Sequence, residues 1–145
     1  MASPFAGSWH YRSFKNDPTP PPPGGAPGAD WPKLYFAEGD FTFSDAPVGH
    51  FEGSADFGGG YTMAFHGNSG LGSPMQVRFQ GVGTGAQNKA WDYDYIGYYI
   101  PVWPNGIGQI DAIVGSIVRS KPHDGESAGV TAAFILLRNP VAKRP

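Results

Sequence analysis

The chain has no cysteine, which excludes disulfides, thiolate nucleophiles, thiolate zinc sites and iron–sulfur clusters, and leaves its redox compartment open. Charge is sparse as well: 10 Lys and Arg stand against 12 Asp and Glu, a net charge of -2, and no more than two basic residues gather anywhere. That distribution lacks the basic footprint of a nucleic-acid binder. No apolar run approaches the ~20 residues needed to span a bilayer. The opening stretch MASPFAGSW has no charged region followed by an apolar one. Neither nucleic acid nor a membrane is expected as a partner, and the location is left open, with a cytoplasmic protein slightly favoured over a mature secreted one. No Gly-x-Ser-x-Gly occurs, and no histidine stands in an evident relation to a serine and an acid. The glycine-rich stretches at 67–72 and 81–85 open no helix, so a phosphate cradle is not expected.

What the chain has in excess is glycine, proline and aromatic rings. The 22 Gly and 15 Pro make up about a quarter of it, against a usual share of roughly 12%. Aromatics reach 14%, which argues against disorder and for short strands joined by tight turns. The periodicity is two nearly throughout. Strands are expected at 5–14, 33–44, 49–56, 61–67, 74–83, 90–100, 110–120 and 130–138. Between Leu34 and Phe36 on one side and Phe41 and Phe43 on the other the apolar parity switches, which predicts a bulge or turn at Glu38-Gly39-Asp40. The Pro/Gly-rich tract within 15–33 cannot join a ladder and is expected as an exposed loop.

At residues 57–59 a three-residue loop pairs Phe51, Gly53 and Ala55 with Phe65, Met63 and Tyr61, and brings His50 opposite His66. Eight strands in meander order can close into an antiparallel up-and-down β-barrel, with a β-sandwich as the alternative. One all-β domain spanning 1–145 is therefore expected. The late strands are apolar on both faces, through Ile113, Ile117, Val114 and Val118 and through Phe134, Leu136, Ile135 and Leu137. With no helix to cover the outer face, a homodimer or higher homo-oligomer is expected.

Gly7-Ser8-Trp9 on the first strand and Arg138 on the last resemble the calycin group of barrels, which holds lipocalins, fatty-acid-binding proteins and avidins. The resemblance implies a small molecule held in the lumen, with Arg138 packed over Trp9. The biotin-contacting residues of avidins do not map onto this chain. Similar eight-stranded barrels, such as phenolic acid decarboxylases and allene oxide cyclases, are enzymes.

If Trp9 faces inward, a lining of Trp9, Tyr11, Phe51, Tyr61, Met63, Phe65, Phe79, Trp91, Tyr93 and Tyr95 follows from strand alternation, with Ser13 and Val77 beside it. Such a set either packs the interior or holds one apolar or aromatic ligand. Tyrosines placed where Phe would pack as well, glycines at 53, 81 and 97, and an adaptable methionine favour a cavity. The stretch WDYDY then leaves Asp92 and Asp94 as solvated positions on the outer face, with Ile96 and Tyr98 near a subunit contact. The alternative is a cofactor-independent lyase, isomerase or cyclase using Tyr93 and Tyr95 with Arg78, His66 or Glu52 as acid–base partners. A third reading stacks sugars on Trp31, Trp103 and Tyr98. No cofactor is expected, and the His50–His66 pair with Glu52 nearby matches no metal signature, so no metal is expected either.

Overall fold

The computed structural model describes residues 3–15, 35–47, 49–70, 72, 74–102 and 104–139. Eight strands form one closed antiparallel barrel in meander order: β1 (Gly7–Lys15), β2 (Tyr35–Phe43), β3 (His50–Asp56), β4 (Thr62–Gly70), β5 (Gln76–Gly83), β6 (Asp92–Ile100), β7 (Ala112–Arg119) and β8 (Thr131–Arg138). Closure runs through β1 and β8, in register from Trp9 opposite Arg138 to Lys15 opposite Ala132. The Pro/Gly tract between β1 and β2, and Trp31 and Trp103 with it, lie outside the described residues.

Burial follows the alternation. Trp9, Tyr11 and Ser13 on β1, Phe41 and Phe43 on β2, Phe51 and Ala55 on β3, Met63 and Phe65 on β4, and Val77 and Phe79 on β5 are all buried inward. Tyr93 and Tyr95, Ile113 and Ile117, and Ala132, Phe134 and Leu136 complete the interior from β6, β7 and β8. An eight-stranded barrel is just wide enough for its side chains to fill, and across most of this lumen they do. Phe79 stacks on Tyr95 at 4.5 Å between centroids, Phe41 meets Phe65 at 4.7 Å, and Phe51 meets Phe79 at 4.9 Å.

Glycines at 53, 81 and 97 were expected to leave open space, and here the structure corrects the sequence reading. A Cβ at Gly53 would come within 2.6 Å of the Phe43 ring, and one at Gly81 within 2.7 Å of the Phe65 ring. At Gly97 it would meet Ile113 at 2.9 Å and Phe134 at 3.0 Å. Neighbouring strands have filled each gap with a side chain.

The β3–β4 loop has the expected three residues but sits one position later, at Gly58-Gly59-Gly60, all with positive φ. Phe57 N–H donates to the Tyr61 carbonyl across it. The register therefore slides by two: Gly53 lies opposite Phe65 and Ala55 opposite Met63. A shift of two preserves which face each residue occupies. It does move the histidines apart, because His50 faces Asn68 and His66 faces Glu52. No group of three metal-ligating side chains exists among the described residues.

The parity switch on the second strand is a bulge, placed differently from the expectation. β2 runs unbroken through Glu38-Gly39-Asp40, and the register slips between Ser13 opposite Ala37 and Phe14 opposite Tyr35. Phe36 is the extra residue. The bulge turns its ring inward at one end of the barrel.

The other end is sealed. Phe5, itself buried, crosses it and packs edge-on against Phe51 and Tyr99. Trp9 Nε1–H donates to the Phe5 carbonyl at 2.8 Å, and the Arg138 guanidinium lies 4.3 Å above the Trp9 ring. Arg138 also donates to Asp111 Oδ2 and to the carbonyls of Ala6 and Pro4. This is the arrangement that the Gly7-Ser8-Trp9 and Arg138 resemblance implied.

Candidate functional site at the barrel mouth

Opposite the sealed end the rings stop short of the rim and leave a cavity of about 190 Å³. Its floor is Tyr11, Met63 and Tyr95, and its walls are Phe36, Ala37, Phe57, Trp91, Tyr93 and Ile117, with Arg119 and His123. The bulge supplies Phe36, whose ring meets Tyr93 edge-on at 5.9 Å. Gly39 admits Phe57, since a Cβ there would lie 2.7 Å from that ring. Trp91 and Phe57 meet edge-on at 6.0 Å.

Of the ten residues expected to line a ligand site, Tyr11, Met63, Trp91, Tyr93 and Tyr95 line this cavity. Trp9, Phe51, Phe65 and Phe79 lie deeper in the packed rings. Tyr61 stacks on Trp91 at 5.4 Å and donates its hydroxyl hydrogen to Gln87 Oε1 at 2.9 Å. The acid–base partners proposed for the tyrosines are not with them. Glu52, His66 and Arg78 alternate with the inward residues of their strands and are exposed on the outer face.

Two residues that the sequence reading passed over take their place. Arg119 follows Ile113 and Ile117 in the same parity, so its side chain points inward, and it is only 4% exposed. Its guanidinium lies 5.4 Å from the Phe36 ring centroid and 5.9 Å from that of Tyr93. His123 arrives from the β7–β8 connection, which folds back over the mouth as a small hairpin. His123 and Glu126 exchange backbone bonds of 3.1 and 2.7 Å, and Asp124 and Gly125 between them have φ of 49° and 78°. Two positive φ values in a two-residue loop define a type I′ turn, and Asp-Gly is a favoured pair for it.

The turn fixes a chain of side chains. Asp124 Oδ2 lies 3.1 Å from His123 Nδ1, and His123 Nε2 lies 2.7 Å from the Tyr93 hydroxyl. A carboxylate on Nδ1 selects the tautomer that carries its proton there, which leaves Nε2 to accept from Tyr93. Burial pushes the Tyr93 pKa above its ordinary value, and the nearby Arg119, through hydrogen bonding and then its charge, offsets this only in part. Burial likewise drives Tyr11 and Tyr95 well above theirs. All three hydroxyls therefore stay protonated at neutral pH.

Several polar atoms at this end are buried without a partner: the Tyr11 and Ser13 hydroxyl oxygens, Trp91 Nε1 and Arg119 Nε. Ser13 and Tyr95 lie close enough to temper the Tyr11 shift. Even so, neither gives its hydroxyl a bond of proper geometry. Leaving such a group unpaired costs about 1–3 kcal/mol.

Asp94 is solvent-exposed as expected and accepts from the Ser120 hydroxyl at 2.7 Å. Asp92 departs from that expectation. Although on the outer face it is buried, accepting from Gln80 Nε2 at 2.9 Å with Lys121 Nζ at 3.3 Å. It thereby ties the start of the mouth hairpin to the barrel wall.

The chain matches no protein-family model, no curated protein and no solved structure.

Proposed function

We propose that this protein binds one small apolar or aromatic molecule at the mouth of the barrel. The observation that carries the reading is the cavity of about 190 Å³ walled by rings, whose lining residues Tyr11, Trp91 and Arg119 each hold a buried polar atom without a partner. An apolar pocket with a few convergent polar groups is the usual form of a small-molecule site. The packed rings below it limit the ligand to the mouth rather than the length of the lumen. Native mass spectrometry of protein purified from its own host tests this: a retained molecule, lost on Trp91→Ala and Tyr11→Phe substitution, is expected. An unliganded protein that also fails to bind any of a library of small aromatic compounds ends the proposal.

The chain Asp124–His123–Tyr93 favours a second reading, a cofactor-independent lyase, isomerase or cyclase. Here the Tyr93 hydroxyl would relay protons: its oxygen takes one from the substrate as its own passes to the unprotonated His123 Nε2, and the reverse transfer delivers a proton back to the product. Tyr93→Phe removes only the hydroxyl. An enzyme would lose turnover, whereas a binder would keep its ligand.

We also propose that the outer face of β6–β8 is covered by a second copy of the chain. Tyr98, Val114 and Ile135 are in register across it, and Leu137 and Ile100 extend the patch, each of the four larger side chains being exposed. Sedimentation should show a dimer or larger assembly that Ile135→Lys dissociates, and a wild-type monomer at micromolar concentration would refute it.

A further inference from the structure

Resting on the reading of the mouth as a ligand pocket, we propose that the ligand is a small organic carboxylate with a flat apolar body, and that Arg119 recognises its charge. A buried guanidinium demands compensation, since removing an ion from water costs several kcal/mol unless a counter-ion and hydrogen bonds replace it. Arg119 has only part of this: the Phe36 and Tyr93 rings lie 5.4 and 5.9 Å from its guanidinium, and the Tyr93 hydroxyl is near enough for the two to interact. Its nearest described carboxylate is Glu126 Oε2 at 4.0 Å, on a side chain that is 60% exposed and free to turn to solvent. One nitrogen, Nη1, donates to the Ser127 carbonyl at 3.1 Å. Nε meets nothing.

The chemistry of the unpartnered groups selects the ligand's. Arg Nε–H and Trp Nε1–H can donate and cannot accept. Both residues line the cavity, and both of these donors are buried and unpaired. A ligand that parts these closely packed groups completes them with an acceptor, and the charge on Arg119 favours an anionic one. A carboxylate supplies two acceptor oxygens in the plane of the guanidinium, the geometry for which arginine is suited. Lys15, whose Nζ lies 6.0 Å over the Phe36 ring, adds positive charge at the same rim. Asp124 and Glu126 face it from the hairpin, but Asp124 is engaged by His123 and both are mostly in solvent.

Size and shape narrow the body of the molecule. An apolar cavity of about 150 Å³ accommodates benzene, so about 190 Å³ admits one ring with a short acidic arm. The edge-on pairs Phe36–Tyr93 and Phe57–Trp91 make up much of the cavity wall. A flat body suits them better than a branched or extended chain.

Calorimetric titration with matched pairs tests the proposal: benzoate against benzamide, phenylacetate against phenylacetamide, and cyclohexanecarboxylate against its amide. For the wild-type protein at least one acid should bind tenfold or more tightly than its amide. Arg119→Gln should erase that preference, weakening the acid at least tenfold more than its amide, and Arg119→Lys should retain part of it. If acids and amides bind alike, the mouth is a pocket but Arg119 is not its anion-recognising group, and the inference is overturned. If no member of either series binds, the inference and the pocket reading beneath it both fall. Should Arg119→Gln not fold, the wild-type acid-to-amide ratio and the Arg119→Lys variant decide the matter.

Discussion

Each end of the barrel carries an arginine lying over an aromatic ring, and the two are held in different ways. Arg138 at the sealed end has a carboxylate at 2.8 Å and the carbonyls of the N-terminal segment around it. Arg119 at the mouth has one carbonyl, the neighbouring Tyr93, a distant and exposed glutamate, and an idle Nε. The first is a clamp: its hydrogen bonds hold the N-terminal segment across the end of the barrel. The second is more fully buried and less well satisfied, and such an imbalance persists in folded proteins where a site needs it. The lesson is that burial alone does not separate a structural charge from a functional one. The partners do.

Among single substitutions, the largest expected effect breaks the clamp. Arg138→Ala leaves Asp111 without its cation and frees the Pro4 and Ala6 carbonyls, so a loss of about 3 kcal/mol in urea unfolding is expected. A loss below 1 kcal/mol would mean that the N-terminal seal contributes little.

Alkaline pH bears on the mouth next. Tyr11, Tyr93 and Tyr95 titrate above the ordinary value of about 10 in the native protein because they are buried there. The unfolded chain releases those protons first, so the native state holds more protons above pH 10. Stability is thus unaffected by these groups below pH 10 and falls as the pH rises through their raised native values, by up to about 1.4 kcal/mol per pH unit for each. Urea midpoints measured between pH 8 and 11.5 should show the decline, and Tyr11→Phe combined with Tyr95→Phe should flatten it.

A smaller effect is expected where the mouth hairpin meets the barrel. Tyr93→Phe removes the 2.7 Å bond to His123, at a cost of about 1 kcal/mol. Amide exchange at His123 and Glu126 should quicken while that of β3 and β4 stays as it was. The smallest is the sharpest contrast with Arg138: Arg119→Met in the ligand-free protein should change stability by less than about 1 kcal/mol, because a poorly compensated buried charge can be replaced by an apolar side chain at little cost. A loss matching that of Arg138→Ala would make the two arginines equivalent.

Much of the fold was readable because a strand's side-chain period is two. The β3–β4 register was misplaced by two residues, yet Phe51, Ala55, Met63 and Phe65 stayed inward, since only odd slips exchange faces. The same slip decided the fate of the His50–His66 pair, which depended on position along the strand and not on face alone. At the site the decisive signals were present but local. Arg119 continues the parity of Ile113 and Ile117, and an apolar count that stops at Val118 overlooks it. His123 belongs to a stretch that reads as polar loop until Asp124-Gly125 is recognised as a turn pair. The bulge was foreseen from parity, but which residue it turns inward depends on the pairing between β1 and β2, and Phe36 emerges only from that.

The rings below the mouth also act as a depth gauge. Phe79 stacked on Tyr95, with Phe41 and Phe65 tilted beside them, forms a floor whose neighbouring glycine positions are already occupied by the rings themselves. Such a floor has nowhere to retreat. If the mouth binds acids as proposed, a homologous series of growing chain length should meet an abrupt cutoff rather than a gradual decline, because the packed rings leave no room beneath it.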